Sequence, residues 1–217
     1  MNRLEQLQQD NDLHAGFMAM HAERFEGYRT RHEDGTAPRA VAAFNLFQTP
    51  EALALRMVEL ADIHPQHSVL EPSAGLGRLL KPILERNPSH VTACEISPDC
   101  CGELFAQFPS VDLLQRDFLT VEPPREGNCG IIIKKTPKVF YDRIIMNPPF
   151  KLRRDIKHIE HALRFLAPGG KLVGLCFSAY KRREFLESLN ATIEIIPEKT
   201  FKAEGTQVET LLFTITN

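Results

Sequence analysis

The sequence lacks the features that would place it in a membrane or in an oxidising compartment. No apolar run is long enough to span a membrane, and the N-terminus has no apolar stretch of the signal-peptide kind. The cysteines are odd in number and form neither a CxxC pair nor a Cys/His spacing typical of zinc. They are Cys94, Cys100, Cys101, Cys129 and Cys176. We therefore expect a cytoplasmic protein in a reducing environment, without a metal site.

The chain also lacks an excess of charge of either sign. Its 217 residues include 26 Lys and Arg against 28 Asp and Glu, which gives a formal net charge of -2. This balance creates no global basic field, so any contact with nucleic acid would need a local patch. Cationic candidates near the N-terminus are Arg24, Arg29, Arg31 and Arg39. A solvated helical face is the commoner meaning of such charges.

Short apolar runs alternate with helical periods over most of the chain. Thr49 is predicted to cap a helix that has Pro50 in its first turn. Helices between successive strands indicate a doubly wound, mostly parallel α/β sheet. Residues 1–43 are predicted to form a helical extension, and 123–138 a loop or small hairpin. Strands are predicted at 69–71, 91–95, 111–114, 141–147, 171–177, 191–196 and 208–216, and further helices at 78–86, 98–107, 155–166 and 182–189.

A glycine-containing loop follows the first predicted strand and reads Glu71-Pro72-Ser73-Ala74-Gly75-Leu76-Gly77. Glycines let the backbone take positive φ and approach a ligand, and a helix from Arg78 would add its N-terminal N–H groups. Glu95 ends the next strand, where a carboxylate commonly accepts the two ribose hydroxyls of a nucleoside. Because ligands bind at the carboxyl ends of strands in such sheets, the pattern predicts a nucleotide-like cofactor.

A second loop, Asn147-Pro148-Pro149-Phe150, follows a later apolar strand and would face the same pocket. The Asn147 side-chain oxygen and the Pro148 carbonyl can accept the hydrogens of an exocyclic amine, which favours a localised lone pair on nitrogen. The prolines make the loop rigid, and Phe150 can stack on a base. The loop is therefore typical of a site for a planar substrate with an amino group. Taken alone, a proline turn ending a buried strand is an equal interpretation.

Together the two loops resemble the class I methyltransferases that use S-adenosylmethionine, and most closely the adenine-N6 DNA methyltransferases. The resemblance covers roughly residues 44–217 and implies one methyltransferase domain with a seven-stranded sheet whose last strand is antiparallel. It implies S-adenosylmethionine as cofactor and methyl transfer to adenine N6 in DNA. The catalytic residues implied are Asn147, Pro148, Pro149 and Phe150. Those implied to bind cofactor are Phe47, Thr49, Pro50, Glu71, Pro72, Ser73, Gly75, Gly77, Glu95, Ile96, Asp117, Phe118 and Asn147.

The resemblance also implies that Phe150 and Phe201 hold the substrate base. For Phe47, Phe118 and Phe201, packing in the core is the alternative, because a lone aromatic residue more often has that role. The segment that precedes the last strand, Phe201 to Thr206, is therefore also interpreted as a simple hairpin turn.

Unlike the restriction-associated members of that family, the chain is expected to lack a target-recognition domain. This difference implies a short or relaxed sequence preference. RNA adenine and the side-chain amide of a protein glutamine would offer a planar amine to the same loop, so both substrates stay open. A non-catalytic binding relative also stays open, although retention of Asn147 and Gly75 argues against it. The composition is compatible with a monomer.

Overall fold

Seven strands form one mixed sheet in the computed structural model, which describes residues 48–123, 140–204 and 208–217, without the side chains of residues 203 and 204. The strand order is β3-β2-β1-β4-β5-β7-β6, and only β7 runs antiparallel to its neighbours. This arrangement confirms the predicted fold class. The strands are β1 Ser68–Glu71, β2 His90–Glu95, β3 Asp112–Gln115, β4 Tyr141–Met146, β5 Leu166–Phe177, β6 Thr192–Ile196 and β7 Thr210–Thr216.

Helices cover both faces of the sheet, because its central strands are apolar on both sides. All four residues of β1 are buried, as are Ile144, Ile145 and Met146 in β4. One core lies under the first helices and a second under the fourth. The helices are α1 Glu51–Ala61, α2 Leu80–Leu84, α3 Pro98–Gln107, α4 Arg154–Leu163 and α5 Tyr180–Ser188, with short 3₁₀ turns at Phe118–Thr120, Lys151–Arg153 and Glu198–Glu204. Within the described ranges, no helix has the length and apolar character needed to cross a membrane.

Two predicted helix starts were wrong. The N-cap of α1 is Pro50, and Thr49 makes no cap hydrogen bond. Helix α2 begins at Leu80 and not at Arg78, so the glycine loop leads into a turn. The reason is Pro82, which has no N–H to donate to the carbonyl of Arg78. The helix after the glycine loop therefore begins two residues later than predicted, although Lys81 N still donates to Gly77 O at 3.3 Å.

Strand β5 begins at Leu166, before the predicted start at residue 171, and includes the Pro168-Gly169-Gly170 segment. Helix α4 ends earlier, at Leu163. Two backbone hydrogen bonds with Asn217 explain the extension. Gly169 N donates to Asn217 O at 3.0 Å, and Asn217 N donates to Gly170 O at 3.0 Å. The predicted extension 1–43 and all but the first residue of the 123–138 segment lie outside the described residues.

Candidate active site

A cavity of about 570 Å³ opens at the carboxyl ends of β1, β2, β3 and β4. Between β1 and β4 the strand order reverses, which is the place where open α/β sheets bind ligands. Small-molecule sites usually measure about 300–1,000 Å³, so the volume suits a nucleoside-sized ligand. Both predicted loops line it. Predicted site residues in the wall are Thr49, Glu71, Pro72, Ser73, Gly75, Glu95, Ile96, Asp117, Phe118, Asn147, Pro148, Pro149 and Phe150.

The glycine loop is held close to β2 by its own backbone. Ala74 N donates to Cys94 O at 3.0 Å, and Gly77 N donates to Ala74 O at 2.8 Å. Gly75 and Gly77 have φ of 55° and 79°, in the left-handed region that other residues rarely adopt. Gly77 itself does not line the cavity but makes the turn that positions Gly75. The loop thus needs glycine for its conformation.

Two backbone N–H groups fix the Glu95 carboxylate at the cavity wall. Its Oε2 accepts from Gly75 N at 2.8 Å and its Oε1 accepts from Ser97 N at 2.7 Å. A carboxylate oxygen can accept more than one hydrogen bond, so this arrangement orients the group without using up its capacity. The neighbouring Ile96 is 62% exposed and lies in the same wall. Glu95 is therefore pre-organised to accept ligand hydroxyls.

The Glu71 carboxyl is buried in the cavity wall with one oxygen unsatisfied. The residue is 1% exposed, and Oε2 has no hydrogen-bond partner among the residues that the structure describes. Burial, and secondly the charge of Glu95, raise the pKa of this carboxyl well above its ordinary value. A buried polar atom without a partner is costly, so a polar group of a ligand would stabilise it.

We predict that Glu71 makes folding stability pH-dependent. Above its ordinary value of 4.5, the unfolded chain releases the proton that the folded protein keeps. The free energy of unfolding should therefore fall as pH rises from there towards the raised folded pKa. Glu71→Gln should flatten this dependence and be more stable than the wild type at neutral pH. Urea denaturation from pH 5 to about 8 measures it. Glu160→Gln, at an exposed position of α4, is the control and should keep the wild-type change of unfolding free energy with pH.

The amide of Asn147 is oriented by Thr49. Asn147 Nδ2 donates to Thr49 Oγ1 at 3.1 Å, and Thr49 is 3% exposed. With the nitrogen directed at Thr49, the amide presents its oxygen as the acceptor on its other side. Thr49, predicted as a cap and a cofactor ligand, therefore orients the Asn147 side chain.

Asp117 and Phe118 meet the cavity through different contacts. Burial tends to raise the pKa of Asp117, but the Arg154 hydrogen bond and the Leu119 N–H outweigh it and lower the pKa overall. Arg154 Nη2 lies 2.7 Å from Asp117 Oδ2. Phe118 is 3% exposed and packs on Phe165 at a ring-centroid distance of 5.3 Å. Phe118 therefore belongs to the core as well as to the cavity wall.

Arg182 supports the second loop, a role that was not predicted from the sequence. Its Nη2 donates to Phe150 O at 3.3 Å. Its Nε and Nη2 also donate to the Asp155 carboxylate at 2.5 and 3.1 Å, and Asp155 is fully buried. One signal was present: Asp155 shares the buried side of α4 with Ile156 and Ile159. An acidic residue in such a position requires a cationic partner.

Besides Gly77, two described residues of the predicted site, Phe201 and Pro50, do not line the cavity. Phe201 is 2% exposed within the core, which favours the packing interpretation over contact with substrate. Pro50 is the cap of α1 and does not line the cavity. Phe47 lies outside the described residues.

Gly77→Ala is expected to destabilise the fold by about 1–3 kcal/mol, because a Cβ there overpacks the interior. That Cβ would lie 2.4 Å from Phe108 Cε2 and 2.9 Å from Leu104 Cδ2, at a φ of 79°. Gly169→Ala is a matched control, because φ is 71° but no atom of the described part of the chain lies within 4 Å of the added Cβ. Chemical denaturation should show the larger loss for Gly77→Ala. Equal losses would mean that the contact with Phe108 has no energetic effect.

No protein-family model matches the chain. Ribosomal RNA small subunit methyltransferase A of Thermosynechococcus vestitus is 33% identical over 89 residues, which are 40% of this chain and 33% of the relative. The rRNA adenine N-6-methyltransferase of Saccharopolyspora erythraea is 35% identical over 74 residues, 33% of this chain and 19% of the relative. The chain thus matches a third or less of each relative's length.

Solved structures match most of the chain at low identity. The 23S rRNA methyltransferase ErmE has a TM-score of 0.55 at 18% identity, over 79% of this chain and 70% of that one. A type I restriction-modification methyltransferase subunit from Streptococcus thermophilus has a TM-score of 0.61 at 16% identity, over 78% of this chain and 44% of that one. M. jannaschii TYW2, solved in complex with AdoMet, has a TM-score of 0.54 at 18% identity, over 81% of this chain and 78% of that one. The chain therefore has the class I methyltransferase fold.

Proposed function

We propose that this protein transfers a methyl group from S-adenosylmethionine to the N6 amine of an adenine in RNA. One observation supports this most strongly. A single cavity at the β1/β4 switch point joins the glycine loop and the fixed Glu95 carboxylate to Asn147, whose amide nitrogen is held by Thr49. A nucleoside site and an amine-accepting loop at one cavity are what such a transfer requires.

The residues of the cavity fit S-adenosylmethionine. Glu95 is oriented to accept ribose hydroxyls, and Gly75 allows a close approach of the ligand. The unsatisfied Glu71 oxygen offers a partner to a polar group of the cofactor. When bound, the cofactor would supply a methyl group on a cationic sulfur. The remaining tasks of alignment and electrostatic stabilisation belong to the protein.

The second loop would activate the substrate amine. Asn147 Oδ1 and the Pro148 carbonyl would each accept one amine hydrogen, which draws the nitrogen lone pair out of conjugation with the ring. Phe150 would stack on the base. No strong general base is needed, because the nitrogen becomes cationic as the N–C bond forms and its proton then leaves readily to water. Arg182 would keep the loop in place through the Phe150 carbonyl.

RNA is preferred to DNA as the substrate because the curated relatives are ribosomal RNA methyltransferases. DNA, the substrate implied by the sequence resemblance, is the second candidate, and it keeps the support of the Asn147-Pro148-Pro149-Phe150 loop. A protein glutamine amide would fit the same acceptors.

The test is transfer of labelled methyl from S-adenosylmethionine to separate pools of protein-free ribosomal RNA, DNA and protein, followed by nucleoside and amino-acid analysis. N6-methyladenosine from RNA is the expected product. Its deoxy form would move the assignment to DNA, and methylglutamine would move it to protein. Absence of label from all three pools would contradict the proposed activity.

We predict that Glu95→Ala weakens S-adenosylmethionine binding by about 1–3 kcal/mol, or roughly 5- to 150-fold in Kd, because ribose hydroxyls lose their acceptor. Glu95→Gln should not rescue binding. The glutamine amide group would place its NH₂ against the N–H of Gly75 or of Ser97. Both of these N–H groups are donors that now bond to the carboxylate oxygens of Glu95.

Isothermal titration calorimetry measures both variants. The control is Glu194→Ala, which removes a carboxylate paired with Arg56 at the exposed surface and away from the cavity. It should bind with the wild-type Kd. Wild-type affinity in Glu95→Ala would remove Glu95 from the cofactor site.

A further inference from the structure

Leu152 is a large apolar residue held in solvent at the edge of the active-site cavity. It is 83% exposed, yet it contributes to the cavity wall. It follows Phe150 by two residues, so it lies beside the loop proposed to hold the target base. Burial in the core cannot account for this leucine, because so little of the side chain is covered. A single exposed leucine is common, but one at the mouth of a cavity is placed where a bound substrate could cover it.

The backbone at Leu152 takes an uncommon conformation. Leu152 has φ 55° and ψ 32°, and Arg153 has φ 57° and ψ 27°. Two successive left-handed residues that are not glycine are disfavoured, and such strain concentrates at binding sites. The turn ends the second loop and precedes α4 at Arg154. The chain thus accepts an unfavourable backbone while it exposes an apolar side chain.

Cationic residues surround this leucine. Lys151 and Arg153 flank it in sequence and are both exposed. Lys151 and Arg154 also line the cavity. A protein surface that combines one apolar residue with flanking cations matches a polyanion with stacked apolar rings, which is the chemistry of a nucleic acid. Membrane or protein docking would favour a broader apolar surface around Leu152.

We propose that Leu152 is a wedge that enters the base stack beside the target adenine when that adenine moves into the cavity. Lys151 and Arg153 then contact the phosphates that flank it. This inference rests on the proposed function and adds how the substrate is opened. Enzymes that act on a base must take it out of its stack, and an inserted apolar side chain replaces part of the lost stacking. Phe150 then stacks on the extruded base, and Leu152 fills the space that the base leaves in the stack.

The test uses two RNA hairpins built around an adenine that the wild-type protein methylates. In one hairpin the adenine is paired in the stem, and in the other it faces an abasic site. Leu152→Ala should lower the ratio of kcat/KM for the paired hairpin to that for the abasic hairpin by about 10-fold, because only the paired adenine must be extruded. Leu152→Phe should keep a ratio near that of the wild type.

Two variants separate this effect from a folding defect. Leu152→Gly relaxes the left-handed backbone, so its Tm should not fall, while its paired-to-abasic ratio should drop as in Leu152→Ala. Leu55→Ala removes another exposed leucine, on α1 and away from the cavity, and should leave the ratio unchanged. With 2-aminopurine in place of the adenine, fluorescence should rise on binding to the wild type and rise less with Leu152→Ala.

If the wild type methylates both hairpins but the paired-to-abasic ratio of kcat/KM is unchanged in both Leu152→Ala and Leu152→Gly, the wedge is refuted. An equal loss on the two hairpins would also overturn it, because Leu152 would then act on binding in general. The proposed function fails separately, when the wild-type protein methylates no RNA adenine at all.

Discussion

Asn147→Ala is expected to reduce kcat for adenine methylation by roughly 10²–10³-fold, the size of effect seen when one pre-organised polar group is removed from an active site. The amide oxygen of Asn147 would act on the amine that reacts, so its loss affects the transition state more than the ground state. Single-turnover methylation, measured beside calorimetric binding of S-adenosylmethionine, separates the two effects. Binding should be largely kept, because Glu95 and the glycine loop are intact.

Thr49 variants give a matched comparison for Asn147. Thr49→Val removes the oxygen that accepts from Asn147 Nδ2 and should lower kcat by a smaller factor than Asn147→Ala. Thr49→Ser keeps that oxygen and should retain more activity than Thr49→Val. Normal turnover in a folded Asn147→Ala protein would refute the role of the amide. Equal activity of Thr49→Val and Thr49→Ser would refute the orientation of the Asn147 amide by Thr49.

Arg182→Ala is expected to lower the free energy of unfolding by about 3–5 kcal/mol, the cost of leaving one partner of a buried ion pair uncompensated. Asp155 is 0% exposed, and Arg182 donates to both of its carboxylate oxygens. Arg182→Lys should not restore stability, since an ammonium cannot reproduce the bidentate geometry. Arg182 also holds the Phe150 carbonyl, so kcat should fall in any variant that remains folded.

Urea denaturation with a double-mutant cycle measures this pair. The loss in Asp155→Ala/Arg182→Ala should be smaller than the sum of the single losses, because neither charge is then left unpaired. The control is Arg183→Ala on the exposed side of the same helix, which should change stability by less than about 0.5 kcal/mol. Additive losses would mean that Asp155 and Arg182 do not stabilise each other.

The order of strands and helices could be predicted because it depends on local pattern. Buried parallel strands appear as short apolar runs, and the helix Pro98–Gln107 has the predicted bounds. Both loops were located by the residues that end β1 and β4. The ends of elements were less accurate where contacts remote in sequence decide them, as at the start of β5, which pairs with the last residue of the chain.

The sequence by itself determined the fold class and the two loops that form the candidate site, since periodicity and glycine or proline content act within a few residues. Only the tertiary structure decided how those loops are held. Thr49 reaches Asn147 across 98 residues, and Arg182 reaches Phe150 across 32. Burial, and secondly the charge of Glu95, raise the pKa of the Glu71 carboxyl, and core packing keeps Phe201 out of the cavity wall. These effects depend on desolvation and on distances between remote segments, which no local pattern encodes.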